Sequence, residues 1–99
     1  MNRLVLAAQL VERGPVRYTP AGLPALDLVL AHESTVDHQG SVRKVSLEIA
    51  ALAIGTLVQE AAAMAIGAHA VFSGFLGARR NGRGVLFHLT ALAPSGRQA

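Results

Sequence analysis

Three runs of alternating residues, one short helix-favouring stretch and two more alternating runs set the order of elements in this 99-residue chain. Leu4, Leu6, Ala8 and Leu10 alternate with Arg3, Val5, Ala7 and Gln9, the period of a half-buried strand. Arg13 to Gly22 is rich in Gly and Pro and reads as a loop. Leu26, Leu28 and Leu30 then share one face of a second strand, with Asp27, Val29 and Ala31 on the other. Glu33 to Gly40 is polar, ends in Gly and reads as a second loop. Arg43, Val45, Leu47 and Ile49 alternate with Lys44, Ser46 and Glu48 in strand three. Thr56 to Met64 changes character. Thr56 is placed to cap a helix, Gln59 follows at capping-box spacing, and Gly67 closes the region. Ala68 to Leu76 and Gly84 to Leu92 supply strands four and five, joined by Arg79-Arg80-Asn81-Gly82-Arg83.

An order of three strands, a short helix and two strands is that of the OB-fold. The expected fold is all-β: a five-stranded Greek-key OB-fold barrel with a short helix between strands 3 and 4. Residues 1–94 form that domain, and 95–99 a short flexible tail. Such barrels bind oligonucleotides or oligosaccharides with strands two and three and with loops one-two and four-five. Here loop one-two carries Arg13, Arg17 and Tyr18, strand three begins with Arg43 and Lys44, and loop four-five carries Arg79, Arg80 and Arg83. Seven of the nine basic residues therefore fall on the binding side.

Charge sharpens the expectation at loop four-five. Nine Lys and Arg face six Asp and Glu, a net of +3. Without Arg79, Arg80 and Arg83 the formal charges balance. Asn81-Gly82 favours positive φ at both positions, so the segment reads as a tight type I′ tip that holds guanidinium groups in solvent. Arginine planes contact phosphates and also lie flat on bases. Arg43 and Lys44 supply a second phosphate contact or ordinary edge-strand charge. Tyr18 stacks on a base or packs over the proline-rich loop. Phe72 and Phe75 fall on opposite faces of strand four, and two of the three phenylalanines, counting Phe87, are expected in the core.

Asn2-Arg3-Leu4-Val5-Leu6, Pro15-Val16-Arg17, Pro20-Ala21-Gly22-Leu23-Pro24, Val29-Leu30-Ala31-His32, and Gly67 with Gly74-Phe75 make a pattern over residues 2–93. It resembles the bacterial primosomal replication protein N family, small relatives of single-stranded DNA-binding proteins. The resemblance implies a homodimer of OB-folds that binds single-stranded DNA and contacts the primosomal helicase and other primosome proteins during replication restart, with no catalysis. The chain departs from the family pattern at strand three, where Ser41 and Ser46 stand in place of aromatic residues. It also has Arg79, Arg80 and Arg83 where the family has lysines. A protein–protein adaptor of the primosome with weak or lost DNA binding is the alternative.

Composition supports self-association. Apolar residues are 52% and charged residues 15% of the chain, against about 45–50% and about 25% in soluble domains. A small barrel cannot hide that surplus alone, and a second copy would cover it. The exposed face of strand one, with Val5, Ala7 and Val11, is one candidate for the contact. Chemistry is not expected. No cysteine is present, and His32, His38, His69 and His88 lack metal-site spacing, so no metal or cofactor is expected. Asp27, Asp37 and Glu48 are scattered, and no serine sits in a nucleophile elbow. The longest apolar run, Ile49 to Val58, is too short to cross a bilayer, so a cytoplasmic protein without membrane contact is expected.

Overall fold

Leucines 26, 28 and 30, all on one side of an extended strand, need a wall of apolar groups to pack against. The computed structural model, which describes residues 1–79 and 82–94, supplies it by rolling the chain into a barrel. The elements are β1 (Leu4–Arg13), β2 (Arg17–Tyr18), β3 (Pro24–His38), β4 (Ser41–Ile54), α1 (Leu57–Ala63), β5 (His69–Ala78) and β6 (Val85–Pro94). The sheet runs β1-β5-β6-β4-β3-β2, and a further β1–β3 pairing closes it. The result is the five-stranded OB barrel, built from β1, β3, β4, β5 and β6. The helix lies between the third and fourth barrel strands. The two-residue β2, within the segment expected as a loop, pairs Arg17 with Ala25 and Tyr18 with Pro24 at the barrel rim.

Closure rests on β1 serving two neighbours. Leu4 to Gln9 pair with β5, while Gln9 to Arg13 pair with β3, with a register shift between Leu10 and Glu12. A bulge of this kind bends a strand and lets it change partners. Three side chains stitch the junctions. Asn2 donates to the Leu76 carbonyl at 2.6 Å and accepts from the Leu76 N–H at 2.9 Å, extending the β1–β5 ladder beyond Leu4. Gln9 donates to the Gly67 carbonyl at 3.1 Å. His32 Nδ1 lies 2.6 Å from the Ala7 carbonyl where β1 and β3 diverge, and its Nε2 lies 2.9 Å from Ser34 Oγ.

The core is leucine, alanine and two rings. Leu10, Leu26, Leu30, Phe72 and Phe87 are the largest fully buried side chains. Each withdraws enough apolar surface to contribute about 1.5–3 kcal/mol. The expectation that two of the three phenylalanines enter the core holds, with Phe72 and Phe87 inside. Leu57, Val58 and Ala61 of α1 close the end of the barrel. The helix starts differently from the capping-box expectation. Thr56 is itself in the αR region and its side chain makes no cap hydrogen bond. Gly55, at φ 77°, turns the chain, and its N–H donates to the Pro24 carbonyl at 2.9 Å.

The expected loop over Glu33–Gly40 is instead strand. β3 and β4 stay paired from Ala25↔Ile54 out to His38↔Ser41. The turn is Gln39-Gly40, with φ 55° and 83°, and this is the primed two-residue hairpin turn. Asp37 Oδ1 accepts from the Gly40 N–H at 3.0 Å. Neither face of this outer hairpin is buried, so its sequence carries no alternation to betray a strand. The arm rises about 20 Å from the barrel, at about 3.4 Å per residue.

Gly74 sits where β5 and β6 shift register, opposite Leu89, with Ser73 opposite Ala91. A Cβ on Gly74 would stand 1.9 Å from the His88 carbonyl oxygen, and backbone cannot yield as a side chain can. Gly74→Ala is therefore expected to lower unfolding free energy by about 3 kcal/mol or more in urea denaturation. An unchanged midpoint would mean the two strands are not this close.

Candidate nucleic-acid interface

The outward face of the barrel between its two loops is aliphatic at the floor and charged at the rim. Because Leu28, Leu30, Ala51, Ala53, Phe87 and Leu89 point inward, alternation turns Asp27, Val29, Ala50, Leu52, Leu86 and His88 outward. A hollow of about 310 Å³ lies over this face, with Val29, Ala50 and Leu86 in its floor and Glu12, Arg13, Asp27 and Arg79 around it. An adjoining hollow brings Arg79 and Arg83 to Glu48 and Ala50 of β4. Arg79 borders both. Arg13 and Gly14, at the start of the first loop, line the first hollow together with Arg79.

Strand pairing ends at Ala78↔Val85, leaving residues 79–84 as the connection. The Gly82 N–H donates to the Arg79 carbonyl at 2.9 Å, and the Arg79 N–H to the Gly84 carbonyl at 3.3 Å. Gly82 and Gly84 both have φ 77°. At Gly84 a Cβ would meet Arg79 Cδ at 3.4 Å, so glycine there leaves room for the arginine stem. Arg80 and Asn81, and with them the expected type I′ centre, lie outside the described residues. So does the tail over 95–99.

The other basic residues are dispersed. Arg17 grips Asp27 with two hydrogen bonds, Nε to Oδ2 at 3.0 Å and Nη2 to Oδ1 at 3.2 Å. The Asp27 hydrogen bond, and then its charge, raise the Arg17 pKa above the ordinary guanidinium value. Arg13 donates to the Met64 carbonyl, tying the end of β1 to the C-terminal end of α1. Both arginines thus hold the fold's own groups. Lys44 lies on the β3–β4 arm opposite Thr35, and Arg43 opposite Val36. Lys44 shares the outward face with Ala50, about 20 Å up the strand, whereas Arg43 points to the opposite face. Tyr18 is 70% exposed and borders a different hollow, between β2 and α1, with Val16, Pro24, Val58 and Ala62. The structure therefore gathers Arg79, Arg83 and Arg13 at one groove, and leaves Tyr18, Arg43 and Lys44 apart from it.

One aromatic pair escaped the sequence reading. Phe75 is exposed on β5 and stacks on His88 of β6, ring centroids 4.8 Å apart and planes 4° from parallel. Opposite-face alternation with buried Phe72 signals that Phe75 points outward. The ring opposite it depends on strand register. Among the described residues, no three His, Cys, Asp or Glu side chains gather to hold a metal, and no helix is long and apolar enough to cross a membrane.

Comparison with known proteins places this geometry. The profile of the family described as another single-strand binding protein family matches residues 2–91. The replication restart protein PriB of Bordetella pertussis is 46% identical over 90 residues, covering 90% of this chain and 84% of the relative. The solved structure of PriB from Ralstonia solanacearum superposes with a TM-score of 0.89 at 33% identity, over 97% of this chain and 99% of that one. The chain belongs to the PriB replication-restart family of single-strand-binding OB-folds. A variant single-stranded DNA-binding protein from Thermus aquaticus shares the fold, with a TM-score of 0.77 at 24% identity over 97% of this chain and 51% of that one.

The Arg13 contact has a direct check. Arg13→Met keeps the apolar stem and removes the donor to the Met64 carbonyl. It is expected to cost about 1 kcal/mol in urea unfolding. Unchanged stability would show an arginine with no structural role.

Proposed function

We propose that this PriB-family chain is a non-catalytic single-stranded DNA-binding accessory of the replication-restart primosome, acting as a homodimer that also contacts the primosomal helicase. The observation that carries the reading is the convergence of Arg79 and Arg83 on the outward face of an OB barrel, over an aliphatic floor. Arg79, Arg80 and Arg83 neutralise phosphates, and release of condensed counterions supplies much of the affinity. Lys44, on the outward face of the arm, extends the contact to strands long enough to reach it. Arg17 contributes little while Asp27 holds it, Arg13 is engaged by Met64, and Tyr18 faces the hollow beside α1.

An open edge supports the dimer. Leu4 to Ala8 pair with β5 on one side only, since β3 joins β1 from Gln9 onward. Val5 is exposed beside this edge. A second copy aligned along β1 would pair these backbone groups and cover part of the apolar surplus. Contact with helicase and other primosome proteins is supported by the PriB relatives, which are named as replication restart proteins. One observation favours the adaptor reading as a second possibility: Glu12 and Glu48 also border the groove and repel phosphate.

Oligo-dT titration across a salt series separates the two readings. Replacing Arg79, Arg80 and Arg83 together with Ala is expected to weaken binding and to flatten the log affinity against log salt slope by about 2, at about 0.7 per lost phosphate contact. An unchanged slope would remove the arginine tip from the interface. No binding by the unaltered protein at low salt, with helicase contact kept, would establish the adaptor.

A further inference from the structure

We propose that the single strand runs along the outward face of the β5–β6 hairpin and stacks a base on the Phe75–His88 ring pair. This rests on the single-stranded DNA reading above and specifies its path. Strands two and three of the barrel, the usual floor of an OB site, are here the less favourable side.

Charge argues for that path. No Asp or Glu follows Glu60 in the sequence, so β5, β6 and the tip between them carry no carboxylate. The groove wall made by β1, β3 and β4 carries Glu12 beside Arg13, Asp27 in its ion pair with Arg17, and Glu48. A phosphate chain displaced toward β5–β6 keeps Arg79 and Arg83 and moves away from Glu12 and Glu48. The outward positions there are Ser73, Phe75, Gly77, Leu86 and His88, none of them a carboxylate.

The ring pair is built rather than incidental. Phe75 and His88 stand directly opposite each other on neighbouring strands. A Cβ on Gly77 would meet His88 Nε2 at 2.9 Å and Cδ2 at 3.2 Å, so the imidazole rests over a glycine in the space a side chain would fill. Phe75 remains 43% exposed, which leaves ring surface for a partner. Leu86, opposite Gly77, lines the hollow that Arg79 borders. Phe75 and Arg79 are four residues apart, about 13 Å of strand, so one short oligonucleotide spans both. Base–aromatic stacking adds to the phosphate contacts without demanding a sequence, and it supplies the stack that Ser41 and Ser46 on β4 cannot.

The test uses the full chain, with fluorescence anisotropy of labelled oligo-dT and of an abasic deoxyribose-phosphate oligomer of equal length. Phe75→Leu keeps apolar bulk and removes the ring. It is expected to weaken oligo-dT binding about five-fold or more, leaving the abasic affinity and the salt slope unchanged. Gly77→Ala, which displaces His88, shifts oligo-dT affinity the same way. Photocrosslinking of a 5-iododeoxyuridine oligonucleotide to the unaltered protein provides a readout independent of folding variants, with adducts expected at Phe75 or His88. Wild-type oligo-dT affinity in a folded Phe75→Leu variant, or adducts confined to β3 and β4, would overturn the path while leaving DNA binding intact. A changed sedimentation mass with unchanged oligo-dT affinity would overturn it too, making the ring pair a contact between copies. Absence of oligo-dT binding by the unaltered protein would remove both this path and the function on which it rests.

Discussion

The divided pairing of β1 is the constraint on which the rest depends. One strand must satisfy β5 with its first half and β3 with its second, and the register shift between Leu10 and Glu12 permits the change. Without it the sheet would stay open and Leu10, Phe72 and Phe87 could not share one interior. The same division leaves backbone groups of Leu4 to Ala8 facing outward at an edge. Asn2, Gln9 and His32 repair parts of the junction with side-chain hydrogen bonds. Closure, the apolar core and the open edge are three consequences of one strand with two partners.

Closure also decides what lies outside. Once the leucines of β3 and the rings of β5 and β6 point inward, Val29, Ala50, Leu86 and Phe75 must point outward. The groove inherits an aliphatic floor, and its charges come from loops and strand ends. Those charges are mixed. Asp27 holds Arg17, Arg13 is tied to α1, and Glu48 faces the tip. The surplus of positive charge therefore concentrates at the β5–β6 connection, in a part of the chain that has no acids.

Much of this was legible before any coordinates. The Leu26, Leu28, Leu30 alternation named the buried face of β3, and the single helix-favouring stretch fixed the barrel order. Residues 33–38 were not legible as strand, because both faces of the arm meet solvent and no periodic burial selects their sequence. The engagement of Arg17 by Asp27 depends on how β2 lies beside β3, and that of Arg13 on a carbonyl 51 positions away. Charge counts cannot distinguish an arginine committed to the fold from one offered to a ligand. The Phe75–His88 stack was hidden similarly, since the pairing that runs unbroken from Ala78↔Val85 to Gly74↔Leu89 decides which β6 residue faces Phe75.

The most direct measurement is the salt dependence of oligo-dT affinity for the unaltered protein. Three to four phosphate contacts, from the tip alone or the tip with Lys44, give a log–log slope between about −2 and −3. A slope near zero, or no affinity at low salt, would contradict an arginine-driven grip on single-stranded DNA.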